Sequence, residues 1–357
     1  MSLLNALANA VANPDEIVSK TDPAKAEALF FPSVRHTVAG EPRRVGVEIE
    51  FAGLDAGKAA ALLAGLWGGE LNLKNEYEVE VNGSKLGDFQ VEIDSSFLKR
   101  LAQTRAAGDD NLRLTDRVVE VAAELNENLI PCEIISPPLK LAQIPEMDRL
   151  IEKLREVGAR GTNSALISAY GVHFNPETPS LEADSILAYL QAFLVLYEWF
   201  VKTMQVDLMR RITPFIDPFP KDYLCHVLPS AYKPNRTELM DDYLNYNPTR
   251  NRALDMLPLF AHLDEERVKT AVPDPNIKAR PTFHYRLANS KVADPHWSIT
   301  HEWRYWLMVE ALAHQPKKLQ AMREAYLEHL QRPLGGLFSD WVTKTEQWFS
   351  EDIDNDR

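Results

Sequence analysis

The sharpest alternation of apolar and polar positions in the chain is R-R-V-G-V-E-I-E-F, Arg43 to Phe51. Val45, Val47, Ile49 and Phe51 recur at every second place, with Gly46, Glu48 and Glu50 between them. A period of two predicts a strand with one apolar face and one face carrying two neighbouring carboxylates. On an open surface such a pair is ordinary. If the face is enclosed, protons or a cation must cancel the repulsion. The same period predicts strands at Tyr77–Val81 and Phe89–Ile93, with Asn82-Gly83 between them as a hairpin turn because both residues tolerate positive φ. Ile130 to Ile135 carries Glu133 and stops at Pro137-Pro138. Ala165 to Asn175 places Tyr170, Val172 and Phe174 on one face and Gly171, His173 and Asn175 on the other. Two late segments also read as strands. T-F-H-Y-R-L-A-N groups Thr282, His284 and Arg286, and W-S-I-T-H-E-W-R-Y-W groups Thr300, Glu302, Arg304 and Trp306.

A helical period replaces the alternation elsewhere. Lys58–Leu66 predicts a short helix ended by Gly68-Gly69, and Leu114–Leu125 and 144–158 predict two more. The clearest helix runs from Leu181 to Met204, where Ile186, Leu190, Phe193, Leu194, Tyr197, Phe200 and Val201 line one side. Helical patterns follow at Trp306–His314 and Pro316–Leu330. Ten prolines from Pro214 to Pro281 interrupt any long pattern and predict an irregular, partly helical insertion of the kind that covers a site. Hairpins and helices in mixed order predict an α+β fold, an antiparallel sheet with helices on one face. Residues 1–40 read as an N-terminal extension, 41–310 as the main domain containing the 214–281 insertion, and 311–357 as a C-terminal helical segment.

Composition narrows the function classes. The net charge of −13 makes nucleic acid or an anionic membrane surface an unfavoured partner. No uninterrupted apolar run of membrane-spanning length is present, and the N-terminal L-L-N-A-L-A-N-A-V-A makes a poor signal peptide. Two cysteines, Cys132 and Cys225, suit a reducing compartment and offer no zinc-ligand spacing. The expected location is cytoplasmic; the oligomeric state is left open.

Acidic residues are disfavoured in strands, yet Glu48 and Glu50, Glu92 and Asp94, Glu133, and Glu302 recur in phase on separate strand-like segments. A solvated face is the favoured reading for Glu76, Glu78, Glu80 and Glu92. The remaining carboxylates, with one imidazole, suit Mg²⁺ or Mn²⁺. Such ions commonly hold a nucleoside triphosphate, but the chain has no phosphate-cradling glycine loop. Phosphate neutralisation would then fall to metals and scattered arginines, with Arg286 and Arg304 the candidates and Arg250, Arg252 and Arg280 a further local excess.

The ordered set V-G-V-E-I-E-F, V-E-I-D-S-S, C-E-I-I-S-P-P-L, G-V-H-F-N-P, H-Y-R-L-A-N and H-E-W-R resembles the amidoligase family, carboxylate–amine ligases with the glutamine synthetase/glutamate–cysteine ligase fold. The resemblance implies a funnel-shaped antiparallel sheet with helices on its outer face, whose concave face holds ATP and Mg²⁺ or Mn²⁺. It implies metal-binding roles for Glu48, Glu50, Asp94, Glu133 and Glu302. It also implies contacts to metal or phosphate for His173, with Asn175 where many relatives have a second histidine, and a phosphate-facing role for Arg304. Ser95 replaces the usual glycine of the D-g-S motif. The implied activity is ATP-dependent ligation of a carboxylate and an amine, an amino acid or peptide among the candidates, through an acyl phosphate. A kinase of the same fold, a metal-dependent hydrolase and a non-catalytic nucleotide- or metal-binding protein stay open as alternatives.

Overall fold

The computed structural model of the chain describes residues 3–12, 27, 29–75, 77–93, 131–162, 170–206, 210, 216–332 and 338–350. Asp94, the expected helix at Leu114–Leu125, the first residues of the strand expected from Ala165 and the tail from Glu351 lie outside these. The strands are β1 (Arg44–Phe51), β2 (Glu70–Asn75), β3 (Glu78–Ser84), β4 (Gly87–Ile93), β5 (Cys132–Ile135), β6 (Leu139–Lys140), β7 (Gly171–Pro176), β8 (Leu254–Asp255) and β9 (His284–Asn289). Among the described residues they form one sheet in the order β2-β3-β4-β5-β1-β7-β9-β8, with β6 joined to β1. All these pairings are antiparallel. The fold is therefore α+β with a large antiparallel sheet, and β1 lies inside it, flanked by β5 and β7.

The alternation of β1 sets the two faces. Val45, Val47, Ile49 and Phe51 are fully buried, while Glu48 and Glu50 lie on the opposite, partly accessible face. Helices cover the apolar side: α2 (Ala56–Trp67), α3 (Ile144–Glu156), α4 (Ala183–Thr203) and α9 (Ile299–Ala313). Trp67 of α2 stacks on Phe89 at 5.4 Å, and Trp303 and Trp306 of α9 meet Phe174 at 5.6 Å and Tyr285 at 5.8 Å. By length and composition α4 could cross a membrane, yet most of its apolar window is buried inside this fold. α1 (Leu3–Ala12), α10 (Pro316–Gln331) and α11 (Phe338–Ser350) complete the helical layer.

A buried ion pair lies on this apolar side. Arg43, just before β1, forms a two-pronged ion pair with Glu310 of α9 at 2.7 and 2.8 Å. It also donates to the carbonyls of Val34 and Glu177, while Tyr189 and Trp306 donate to the same Glu310 carboxylate. The pair is almost completely buried and its hydrogen-bonding capacity is used on both sides.

Three expectations need correction. The segment from Trp297 to Trp306 is helical: Ser298 caps α9 by accepting from the His301 amide at 3.1 Å. Its Ile, Thr, Trp and Tyr favour strands in isolation, but burial of Ile299, Trp303 and Trp306 along one helical face outweighs that preference. Asn82-Gly83 does not make the hairpin turn. Ser84 pairs with Gly87, so the turn sits at Lys85-Leu86, and the positive φ of Gly83 (73°) coincides with a register shift inside β3. The 214–281 region, expected to be irregular and only partly helical, is mostly regular over its described residues, holding α5 (Lys221–Val227), α6 (Arg236–Tyr246), α7 (Leu257–Leu263), α8 (Glu265–Ala271) and β8. A reciprocal cap between Asn235 and Glu238 starts α6.

Candidate active-site cleft

Antiparallel register converts the scattered acids of the sequence into a row. Glu78 lies opposite Glu92, Glu92 opposite Glu133, and Glu133 opposite Glu50. Directly opposed side chains share a face and like charges there repel, so four successive strands concentrate negative charge across the sheet. Two residues along β1 on the same face, Glu48 lies opposite His173, and two further on Gly46 lies opposite Asn175.

Glu48 is the centre of a polar cluster. One of its oxygens is 2.8 Å from Nδ1 of His173, and the other accepts from Asn175 Nδ2 at 2.8 Å. Nε2 of His284, on β9, approaches the first oxygen at 3.6 Å, and the Arg280 guanidinium lies 3.8 Å from the second. Burial alone would raise the Glu48 carboxyl, but His173 and His284 outweigh it and hold Glu48 well below the usual carboxylate range. Burial pushes His173 down to about 3 against the pull of Glu48, with Arg286 and His284 adding to the push. An ionised carboxylate can only accept, so Nδ1 of a neutral His173 is assigned as the donor here.

Backbone features hold this geometry. The amide of Gly171 donates to Glu50 at 2.6 Å. A Cβ on Gly171 would stand 2.5 Å from the Arg210 guanidinium, so a side chain there would collide with it. Arg210 in turn donates to the carbonyls of Arg286, Leu287 and Ala288, fixing β9 beside β7. Arg280 grips Oδ1 of Asn175 through two nitrogens, at 2.6 and 3.1 Å, so one asparagine bridges Arg280 to Glu48.

In front of the row lies a cavity of about 600 Å³. The sheet contributes Glu48, Glu92, Glu133 and Asn175 to its lining. The other wall brings Arg250, Asn276, Lys278 and Arg280 from the proline-rich segment, and Arg44 adds another cation. One wall is therefore acidic and the other largely basic. Two groups of side chains have a metal-ligating geometry, Glu48 with His173 and His284, and Glu50 with Glu133 and His173. Within each, the donor atoms lie within 4.8 Å of one another. Oxygen donors with imidazole nitrogen suit a divalent ion, so these residues fit the metal expected from the sequence.

The structure thus brings together Glu48, Glu50, Glu133, His173 and Asn175. Arg286, beside them on β9, donates to the carbonyl oxygen of Arg250. Glu302 and Arg304 are not brought to this cleft. Both lie on α9, which packs against the apolar face of the sheet. Glu302 accepts from Trp297 at 2.8 Å and lines a separate cavity of about 130 Å³ with Lys291, His301 and Tyr305. Arg304 lies over the Phe30 ring, 5.5 Å from its centroid. Conversely, Glu92, assigned by sequence to a solvated face, lines the cleft. His284 and Asp255 were also missed. His284 carried a weak signal, its alternation with Arg286, but Asp255 sits in a two-residue strand that no period reveals.

Comparison with protein-family models matches residues 41–308 to the family described as putative amidoligase enzyme. Searches of curated proteins and of solved structures returned no match. The match spans most of the chain, including every strand of the acidic row, and the chain belongs to the putative amidoligase enzyme family.

Proposed function

We propose that this protein is an ATP-dependent carboxylate–amine ligase that makes an amide or isopeptide bond through an acyl phosphate, in a cleft of the glutamine synthetase/glutamate–cysteine ligase type. The observation that carries this reading is the opposition of an acidic sheet face and a wall of arginine and lysine across about 600 Å³. Cavities of this size commonly take small ligands and cofactors.

A carboxylate resists attack by an amine because its carbonyl is electron-rich and oxide leaves poorly. Transfer of the γ-phosphoryl group to a carboxylate oxygen gives an acyl phosphate and ADP. The amine nitrogen then attacks the acyl carbon, the C–O bond to phosphate breaks, and the nitrogen loses its proton. Glu48, Glu50 and Glu133, with His173 beside them, are the residues that would hold Mg²⁺ or Mn²⁺, which when bound neutralises phosphate charge. Arg280, Arg250 and Lys278 face the same space and supply fixed positive charge for the transferring group. Asn175 sets the direction of Arg280 relative to Glu48, so charge placement does not depend on a mobile arginine. Lys278, Arg280, Pro281 and Thr282 line the cleft, where with substrates bound they would help exclude the water that hydrolyses an acyl phosphate.

The test is amine-dependent release of ADP and phosphate by the purified protein in a screen of amino acids and peptides. Glu48→Ala and Arg280→Ala should each lower turnover by roughly 10²-fold or more. AMP and pyrophosphate as products would rule out the acyl phosphate, and a stable phosphorylated product without a new amide bond would identify a kinase.

A further inference from the structure

His284 is buried, with 4% of its surface exposed, and neither ring nitrogen has a hydrogen-bond partner among the described residues. Leaving two polar atoms unsatisfied in the interior is costly, and here both point at carboxylates. Nε2 faces Glu48 at 3.6 Å, and Nδ1 faces Asp255 at 3.4 Å. Asp255 is completely buried; one of its oxygens accepts from the Leu257 amide, and the one facing His284 is without a partner. His173 repeats the arrangement, with Nδ1 at Glu48 and Nε2 3.5 Å from Glu50. The two rings meet edge to face at 5.3 Å, and Glu48 lies within reach of both.

We infer that Glu48, His173 and His284 form a nitrogen-rich site for a borderline divalent transition ion such as Zn²⁺ or Co²⁺, distinct in preference from a Mg²⁺ or Mn²⁺ position, with Asp255 orienting His284 and Glu50 orienting His173. The spacing supports it. Ligand atoms about 2.0–2.2 Å from one ion sit roughly 3–3.5 Å apart, and the observed approaches to Glu48, 2.8 and 3.6 Å, bracket that separation, so a small shift of each ring would seat an ion. Two imidazoles and one carboxylate favour borderline ions over Mg²⁺, which demands oxygen. A carboxylate on the far nitrogen of each ring is the arrangement that fixes a ligating imidazole and raises its basicity. On binding, Nδ1 of His173 gives its proton to solvent and Nε2 takes one up facing Glu50, so the ring stays neutral and its lone pair turns to the ion. The oxygen-rich group of Glu50 and Glu133 remains for a hard ion.

The inference deepens the proposed ligase reading by adding His284 and Asp255 to the cleft, but its test needs no turnover. Co²⁺ is added to the untagged, metal-free full-length protein without nucleotide, binding is followed by visible absorption, and imidazole ligands are counted by X-ray absorption. Two imidazoles are expected, with displacement of Co²⁺ by Zn²⁺ and none by a ~100-fold excess of Mg²⁺. His284→Ala should abolish the spectrum, and Asp255→Asn should weaken binding about 10–100-fold. One imidazole or none in the unmodified protein, or equal competition by Mg²⁺, overturns the inference even if a variant fails to fold. The two readings also fail separately. Two imidazoles without amine-dependent ADP release sinks the ligase and sustains this site; ADP release with no imidazole-bound Co²⁺ does the reverse.

Discussion

Two polar clusters lie on opposite sides of the sheet, the rear one buried and the front one lining the cleft, and they are built on opposite principles. Behind it, Arg43 and Glu310 match charge for charge, and Val34, Glu177, Tyr189 and Trp306 complete the hydrogen bonds around them. In front of it, Glu48, Glu50, Glu92 and Glu133 stand near one another with two imidazoles, and His284 and Asp255 retain unpartnered atoms. The rear cluster is complete as folded. The front cluster gathers carboxylates on neighbouring strands, an arrangement that a bound cation would stabilise.

The strongest way to break the comparison is at the rear. Arg43→Ala leaves Glu310 buried and unpaired, and should cost about 3–5 kcal/mol in urea denaturation. A loss below ~1 kcal/mol would mean that the rear pair is dispensable.

Acid tests the front. His173 has a folded pKa of about 3, below its ordinary value, so the unfolded chain binds its proton first as pH falls. Glu48 is also depressed, and its contribution is likewise lost on acidification. Metal-free protein should therefore lose a few kcal/mol between about pH 6.5 and 3, and His173→Gln should flatten that slope in melts across this range. An unchanged slope would remove His173 from the account.

Glu302 sharpens the comparison because it sits at the rear yet is only half satisfied. Burial raises its carboxyl to about 7, with Trp297 pulling the other way. The sign is opposite to the front. Below the ordinary glutamate range both states are protonated, and as pH rises toward 7 only the unfolded chain releases its proton, so stability falls. Glu302→Gln should gain up to about 3 kcal/mol at pH 8 and nothing at pH 4. A gain equal at both pH values would deny that the carboxylate charge is the cause.

The smallest effect is expected along the acidic row. Glu92→Gln removes the charge opposed to Glu78 and Glu133 while keeping an oxygen to accept from Gln90, and should stabilise metal-free protein by about 0.5–1 kcal/mol while weakening divalent-ion binding. Destabilisation instead would mean that the polar contacts of this carboxylate outweigh the repulsion along the row.

Much of the front face was legible because strands announce themselves by a period of two. Alternation alone puts Glu48, Glu50, His173 and Asn175 on the polar side of their strands, and it puts Glu133 within another strand. What alternation cannot supply is register. Glu92 looked like a solvated acid because nothing local reveals that it stands opposite Glu133, across a gap of some forty residues. Glu302 and Arg304 failed differently. Trp303, Tyr305 and Trp306 fit a strand by propensity, while the helical alternative rested on a single serine cap and on a buried face visible only once Phe174 and Tyr285 lay beneath it. Asp255 was beyond reach because a two-residue strand has no period.

The bond between Arg43 and Glu310 joins positions 267 residues apart. A contact so distant in sequence closes a long loop, and its entropic cost is met only when the intervening sheet is already ordered. During synthesis the N-terminal edge of β1 must therefore wait for α9 to emerge before its arginine is neutralised. Until then the acidic row can pair strand to strand, but its central strand lacks the anchor that holds it against the helical layer. Chain order thus makes closure of this clasp a late step, after most of the cleft has been translated.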